Sequence, residues 1–173
     1  VTATNAAMDR AFEGQREAAV ANANPQVFQG MAAGAQTVGI AQEKLADILK
    51  DVNDRVGDFL TTGGGPMADF FESIAPKVGV TADQFARLSG PEALQLYVSS
   101  LEQAGASQQE MTFYLEAMAS DATALLPLLR NNGEEMGRLA QRAADLGLVM
   151  DDKTLASLNR ARFAVFAVGQ ALV

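Results

Sequence analysis

The run Thr61-Thr62-Gly63-Gly64-Gly65-Pro66 cuts this chain into two unlike parts. Three consecutive glycines carry a heavy entropic cost inside a helix, and Pro66 lacks an amide while suiting the first turn of a new one. A phosphate-binding loop would need Gly-Lys-Ser/Thr, and no Lys follows these glycines. The segment therefore reads as a helix–helix connection.

Before this break the dominant signal is a heptad seam. Met31, Ala35, Val38, Gln42, Leu45, Leu49, Val52, Val56 and Phe59 are spaced by alternating steps of four and three residues, with Gln42 the one polar member. The pattern predicts a long helix over 31–59, with Gly34 and Gly39 weakening its first half by roughly 1 kcal/mol each. Two uses of such a seam stay open. Met31, Val38, Leu45, Leu49, Val52, Val56 and Phe59 could pair with a partner or another copy as a coiled coil, or the helix could lie on its own domain. Upstream, residues 4–23 are Ala-rich and favour helix, until Asn22-Ala23-Asn24-Pro25 breaks it. Residues 1–62 thus read as a helical arm.

Residues 63–173 read as a compact module of short helices. Thr81-Ala82-Asp83-Gln84 and Ser107-Gln108-Gln109-Glu110 both fit the capping box, and Gly90-Pro91 opens another helix. Leu94, Tyr97, Val98 and Leu101 share one helical face, as do Met111, Tyr114, Leu115 and Met118. Pro127 interrupts an apolar run, Asn131-Asn132-Gly133 makes a turn, and Gly147 closes a helix lined by Met136, Leu139, Ala140 and Ala143. Asp151 or Asp152 caps the last helix. No stretch alternates with period two for long enough to be a strand, so the expected fold class is all-α: a long coiled-coil-like helix followed by a bundle of short ones.

Composition removes most catalytic hypotheses. The 173 residues include no Cys and no His, so disulfides, cysteine nucleophiles, conventional zinc sites and His-based triads are all excluded. Glu134-Glu135 and Asp151-Asp152 are adjacent acids at helix starts, where they complement the macrodipole rather than face each other across a cleft. Ser73 and Lys77 do not have Ser-x-x-Lys spacing and are separated by Pro76. No catalytic, cofactor or metal residue is assigned, and the chain reads as a non-enzyme. Phe70, Phe71, Phe85, Tyr97, Phe113 and Tyr114 lack the interleaved Lys and Arg of a base-stacking surface and read as core and helix contacts. A net charge of −8 argues against direct nucleic-acid binding.

The phrases Gly63 to Tyr97, Asp121 to Gly133 and Ala143 to Leu148 resemble the helical region of phage and prophage tail tape-measure proteins. The resemblance spans about Ala46 to Arg162 and rests on packing and turn motifs. It implies a structural fragment of a protein that sets tail length during assembly and leaves ahead of the DNA at ejection. It also implies tail-tube and tail-tip partners, and a location in the tail lumen or, during assembly, the host cytoplasm. No catalytic residues come with it.

The termini add a rival. The chain begins at Val1 with no signal peptide visible and stops within the apolar run Phe163 to Val173, so both ends read as cut. That run is too short for the ~20 residues that span a bilayer. Burial in protein is its simplest use, while a membrane-active or translocated helical domain, with the apolar segment continuing beyond residue 173, is the alternative.

Overall fold

The computed structural model describes residues 2–171, with side chains for Ala6, residues 9–161, Phe163, Ala164 and Ala167. The described residues are all-helical, without strands. In chain order they form α1 (Thr2–Val20), α2 (Pro25–Gln36), α3 (Gln42–Thr62), α4 (Ala68–Ser73), α5 (Ala75–Val78) and α6 (Ala82–Ala86). Then come α7 (Gly90–Gln103), α8 (Gln108–Met118), a 3₁₀ turn (Ala122–Leu125), α9 (Leu126–Asp145) and α10 (Asp152–Ala171).

The helix starts follow local chemistry. Asn24 accepts from the amides of Gln26 and Val27 ahead of Pro25. Thr81 and Ser107 form the two expected capping boxes, and Ser89 with Glu92 forms a third at the start of α7. Asp151, not Asp152, caps α10, its Oδ1 accepting from Thr154 N at 2.7 Å.

The expected continuous helix over 31–59 is not formed. Gly39, with φ of +80°, stops α2, and Ile40 N donates back to Ala35 O at 3.0 Å. That five-residue return is the Schellman closure, which needs a left-handed residue and an apolar one after it; Ile40 supplies the latter and is buried. The seam is therefore divided between α2 and α3, and the longer of these, α3, has 21 residues.

Both halves of the seam face the protein's own interior. Met31, Leu45, Leu49, Val52 and Val56 are buried, while Val38 and Phe59 are partly buried against the same core. Phe59 stacks on Phe71 with centroids 4.2 Å apart, joining Phe70, Phe85 and Tyr97 in an aromatic knot. The hydrophobic core runs from Ala18 to Met136 without interruption. Residues on both sides of the turn that follows Thr62 thus contribute to one hydrophobic core. The reason is tertiary: α2 packs most heavily on α9, and α3 on α1 and α7.

Small residues make the α2–α9 crossing tight. A Cβ added at Gly30 would lie 3.0 Å from Ala140 Cβ, and one at Gly34 would run into Met136 Sδ. An extended Arg130 and a left-handed turn at Asn131, Asn132 and Gly133 (φ of 53°, 59° and 76°) divide α9 into two helical segments. Glu102 holds it by accepting from Asn131 N at 3.1 Å.

Candidate functional site

The structure offers two places where side chains converge on something other than core. The first is a groove between α2, α7 and α9 with a volume of about 490 Å³. Met31, Leu129 and Met136 are buried in its depth, and Val27, Pro91, Ala140 and Val149 extend its apolar wall. Gln26, Gln95 and Gln141 add polar contacts, and Glu92 is the one charged side chain lining it. Its size lies within the range of ligand pockets, and methionines give it an adaptable floor.

Beyond the groove, residues 147–150 form a short strap across α2. Gln29 pins it twice, accepting from Met150 N at 2.9 Å and donating to Met150 O at 3.3 Å. Val149 lines the groove, whereas Leu148 and Met150 line a second cleft shared with α1.

The second place is the junction of α1 and α3. Carboxylate oxygens of Glu13, Glu17 and Glu43 lie within 4.8 Å of one another. Glu17 is only 7% exposed and accepts from Gln42 Nε2 at 2.7 Å. Its pKa is raised, mainly by burial; the Gln42 hydrogen bond opposes this, Glu43 and Glu13 add to it, and Arg16 opposes. This group could receive a cation in principle, but Glu13 and Glu43 are exposed and Glu17 already has its partner.

The residues singled out in the sequence are distributed differently. The seven seam residues lie within the core and at its margin, and only Met31 also reaches the groove. Asp151 is lowered by its hydrogen bonds from Thr154, and Glu135 by its pairing with Arg138, so both behave as surface helix carboxylates. Of the aromatics, Phe70, Phe85 and Tyr97 are fully buried, but Phe113 is exposed.

Sequence reasoning missed the Glu13–Glu17–Glu43 cluster. The clue was Glu13 and Glu17 at i and i+4, a repulsive spacing on one helix face that needs a compensating partner. The groove had no such clue, because it is assembled from three helices distant in the chain.

No helix among the described residues is long and apolar enough to cross a membrane. In the apolar run Phe163–Val173, Phe163, Ala164 and Ala167 are exposed; the burial expected for the remaining side chains falls outside the described residues. Comparison with protein-family models, curated proteins and solved structures finds no match.

Proposed function

We propose that this chain is a folded structural module of a phage tail tape-measure protein. The observation that carries the reading is where the family-like stretches fall in the fold. Gly63 to Tyr97 supplies the connection out of α3 and the Phe70–Phe85–Tyr97 knot; Asp121 to Gly133 supplies the 3₁₀ turn and the left-handed turn, and Ala143 to Leu148 the end of α9. These parts turn the chain between helices of one core.

Folding back matters for the role. A single helix of this length would measure about 260 Å, while the 21-residue α3 measures about 32 Å. The module therefore serves assembly or ejection by docking on tail-tube or tail-tip proteins, rather than contributing length residue by residue. Its work is packing rather than chemistry, and its net charge of −8 keeps it off the DNA sharing the channel. Self-association through the 31–59 seam would require α2 and α3 to leave the core they share, so any assembly contact lies elsewhere on the surface.

The test is in-frame deletion of residues 1–173 from the gene that encodes them, with tail lengths measured by electron microscopy. The expected result is absent tails, or tails of unchanged length that fail to eject. Tails shortened by about 260 Å would show an extended ruler instead. Normal, infective tails would overturn the tail role altogether.

A further inference from the structure

The turn that divides α9 is built from the two residue types that together make a peptide bond chemically labile. Asn132 (φ of 59°, ψ of 32°) and Gly133 (φ of 76°) are both left-handed. Asparagine is among the few residues with a side chain that visit this region. At position 133 the fold demands glycine itself, since a Cβ there would run into Gln95 Oε1. The chain has seven asparagines, and the others precede Ala6, Ala23, Pro25, Asp54, Asn132 or Arg160; Asn132 alone precedes glycine.

That pairing matters for covalent chemistry. The backbone amide nitrogen that follows an asparagine can lose its proton and attack the side-chain carbonyl carbon. The new N–C bond closes a five-membered succinimide, and the side-chain nitrogen leaves as ammonia. Water then opens the ring at either carbonyl. The products are aspartate and isoaspartate, the latter with its backbone running through the former side chain. No oxidant or reductant is consumed. A side chain on the attacking residue shields its nitrogen, and glycine has none.

The side-chain amide of Asn132 is open to this reaction. Asn132 is exposed, and Ser99 Oγ donates to its Oδ1 only at 3.4 Å. The backbone, by contrast, is held away. A ψ of 32° puts Gly133 N nearly opposite the Asn132 Cβ across the Cα–C bond, so ring closure requires that bond to rotate and the turn to open. Glu102 holds the turn shut through Asn131 N, and Gln95, which donates to Leu129 O at 3.0 Å, rests against Gly133. Opening interrupts no continuous helix, because Arg130 is extended and the turn already separates the two segments.

We propose that Asn132-Gly133 is a self-modifying site, which closes to a succinimide when this turn opens and ends as isoaspartate or aspartate. Isoaspartate lengthens the backbone path of a turn made of three successive left-handed residues. The second segment of α9, which sets Met136 and Ala140 against Gly34 and Gly30 of α2, then loses its alignment. The change accumulates with time, so it separates old copies of the chain from new ones. The inference rests on this chain alone and does not depend on a phage tail.

Incubation of the whole chain in mildly alkaline buffer, followed by peptide mass mapping, tests the site. Asn132 should convert faster than each of the other six asparagines. In urea the same bond should convert roughly tenfold faster or more, because the turn no longer restrains it. Glu102→Ala frees Asn131 N and should move the folded rate toward the unfolded one, with the other asparagines unchanged. Anion exchange separates the modified chain by its extra negative charge, and its hydrogen exchange should quicken in α2 and in the second segment of α9. Asn132→Asp carries the charge without the longer backbone and should keep the parent's protection there.

An Asn132 that stays intact while other asparagines convert would overturn the proposal. So would equal rates in the folded, urea-unfolded and Glu102→Ala chains, which would leave the dipeptide without a structural gate. Isoaspartate-containing chain with parent-like exchange in α2 and α9 would overturn the loss of alignment.

Discussion

Replacing glycine by alanine should have opposite effects at two helical positions of this protein. At Gly137, within the straight part of α9, an added Cβ meets nothing within 4 Å, so Gly137→Ala removes only backbone entropy and should stabilise by about 0.5–1 kcal/mol. At Gly90, in the first turn of α7, the same methyl falls on the Ala21 carbonyl oxygen. That oxygen is main chain and already accepts from Asn53 Nδ2 at 2.9 Å, while Gly90 N donates to Asn22 O at 3.0 Å. Relief requires α7 to move off the α1–α2 turn, weakening both bonds at ~0.5–1.5 kcal/mol each and straining the packing. Gly90→Ala should therefore destabilise by about 2–4 kcal/mol, lowering the thermal midpoint by roughly 2–4 °C per kcal/mol. Urea unfolding of the pair, monitored by circular dichroism, gives both signs in one experiment. A Gly90→Ala midpoint at or above that of the parent would refute the close approach, whatever Gly137→Ala does.

Three further perturbations follow from single contacts. Tyr97 is fully buried and its hydroxyl donates to Tyr114 O at 2.7 Å, so Tyr97→Phe should cost about 1–2 kcal/mol in urea unfolding, with the fold retained. Asn131 holds φ of 53°, so Asn131→Ala should cost about 1–2 kcal/mol while Asn131→Gly stays near neutral; equal losses would deny the strain. Glu17 has a folded pKa above its ordinary value of 4.5, so the folded protein binds more protons than the unfolded one in that window. Stability should fall as pH rises from about 4.5 through the folded value, and Glu17→Gln should raise the thermal midpoint at neutral pH and flatten this part of the profile. A Glu17→Gln protein less stable than the parent at neutral pH would sink that account.

Helix existence was legible in the sequence wherever the signal was local. Asn24-Pro25, the two Thr/Ser capping boxes and Asn131-Asn132-Gly133 each satisfy amides or set dihedrals within a few residues, so no tertiary context could override them. The Ser89–Glu92 box was equally local but hidden behind Gly90-Pro91, which attracts attention as the helix opener. The groove and the buried Glu17 were illegible for the opposite reason. Met31, Pro91 and Met136 converge only after α2, α7 and α9 have packed, and Glu17 is buried because α3 folds against α1.

The seam shows why a heptad pattern alone cannot decide between partner and self. Three-and-four spacing marks a face that avoids water, and α2 and α3 satisfy it against α9, α1 and α7 as well as a second coiled-coil strand would. What decides the matter is punctuation. Gly39 is followed by buried Ile40, and Ile40 N returns to Ala35 O at 3.0 Å. The same five-residue return occurs at Gly79-Val80, Gly105-Ala106 and Gly147-Leu148, each at the end of a helix. Weighed as a propensity penalty, Gly39 costs a long helix only ~1 kcal/mol and the seam survives it. Weighed as glycine followed by an apolar residue, it is the same stop signal that Gly147 gives, and it ends the helix before the second half of the seam begins. One helix of 29 residues would have presented its apolar face to a partner. Two helices joined by a sharp turn fold that face inward, so the seam serves the core of its own chain.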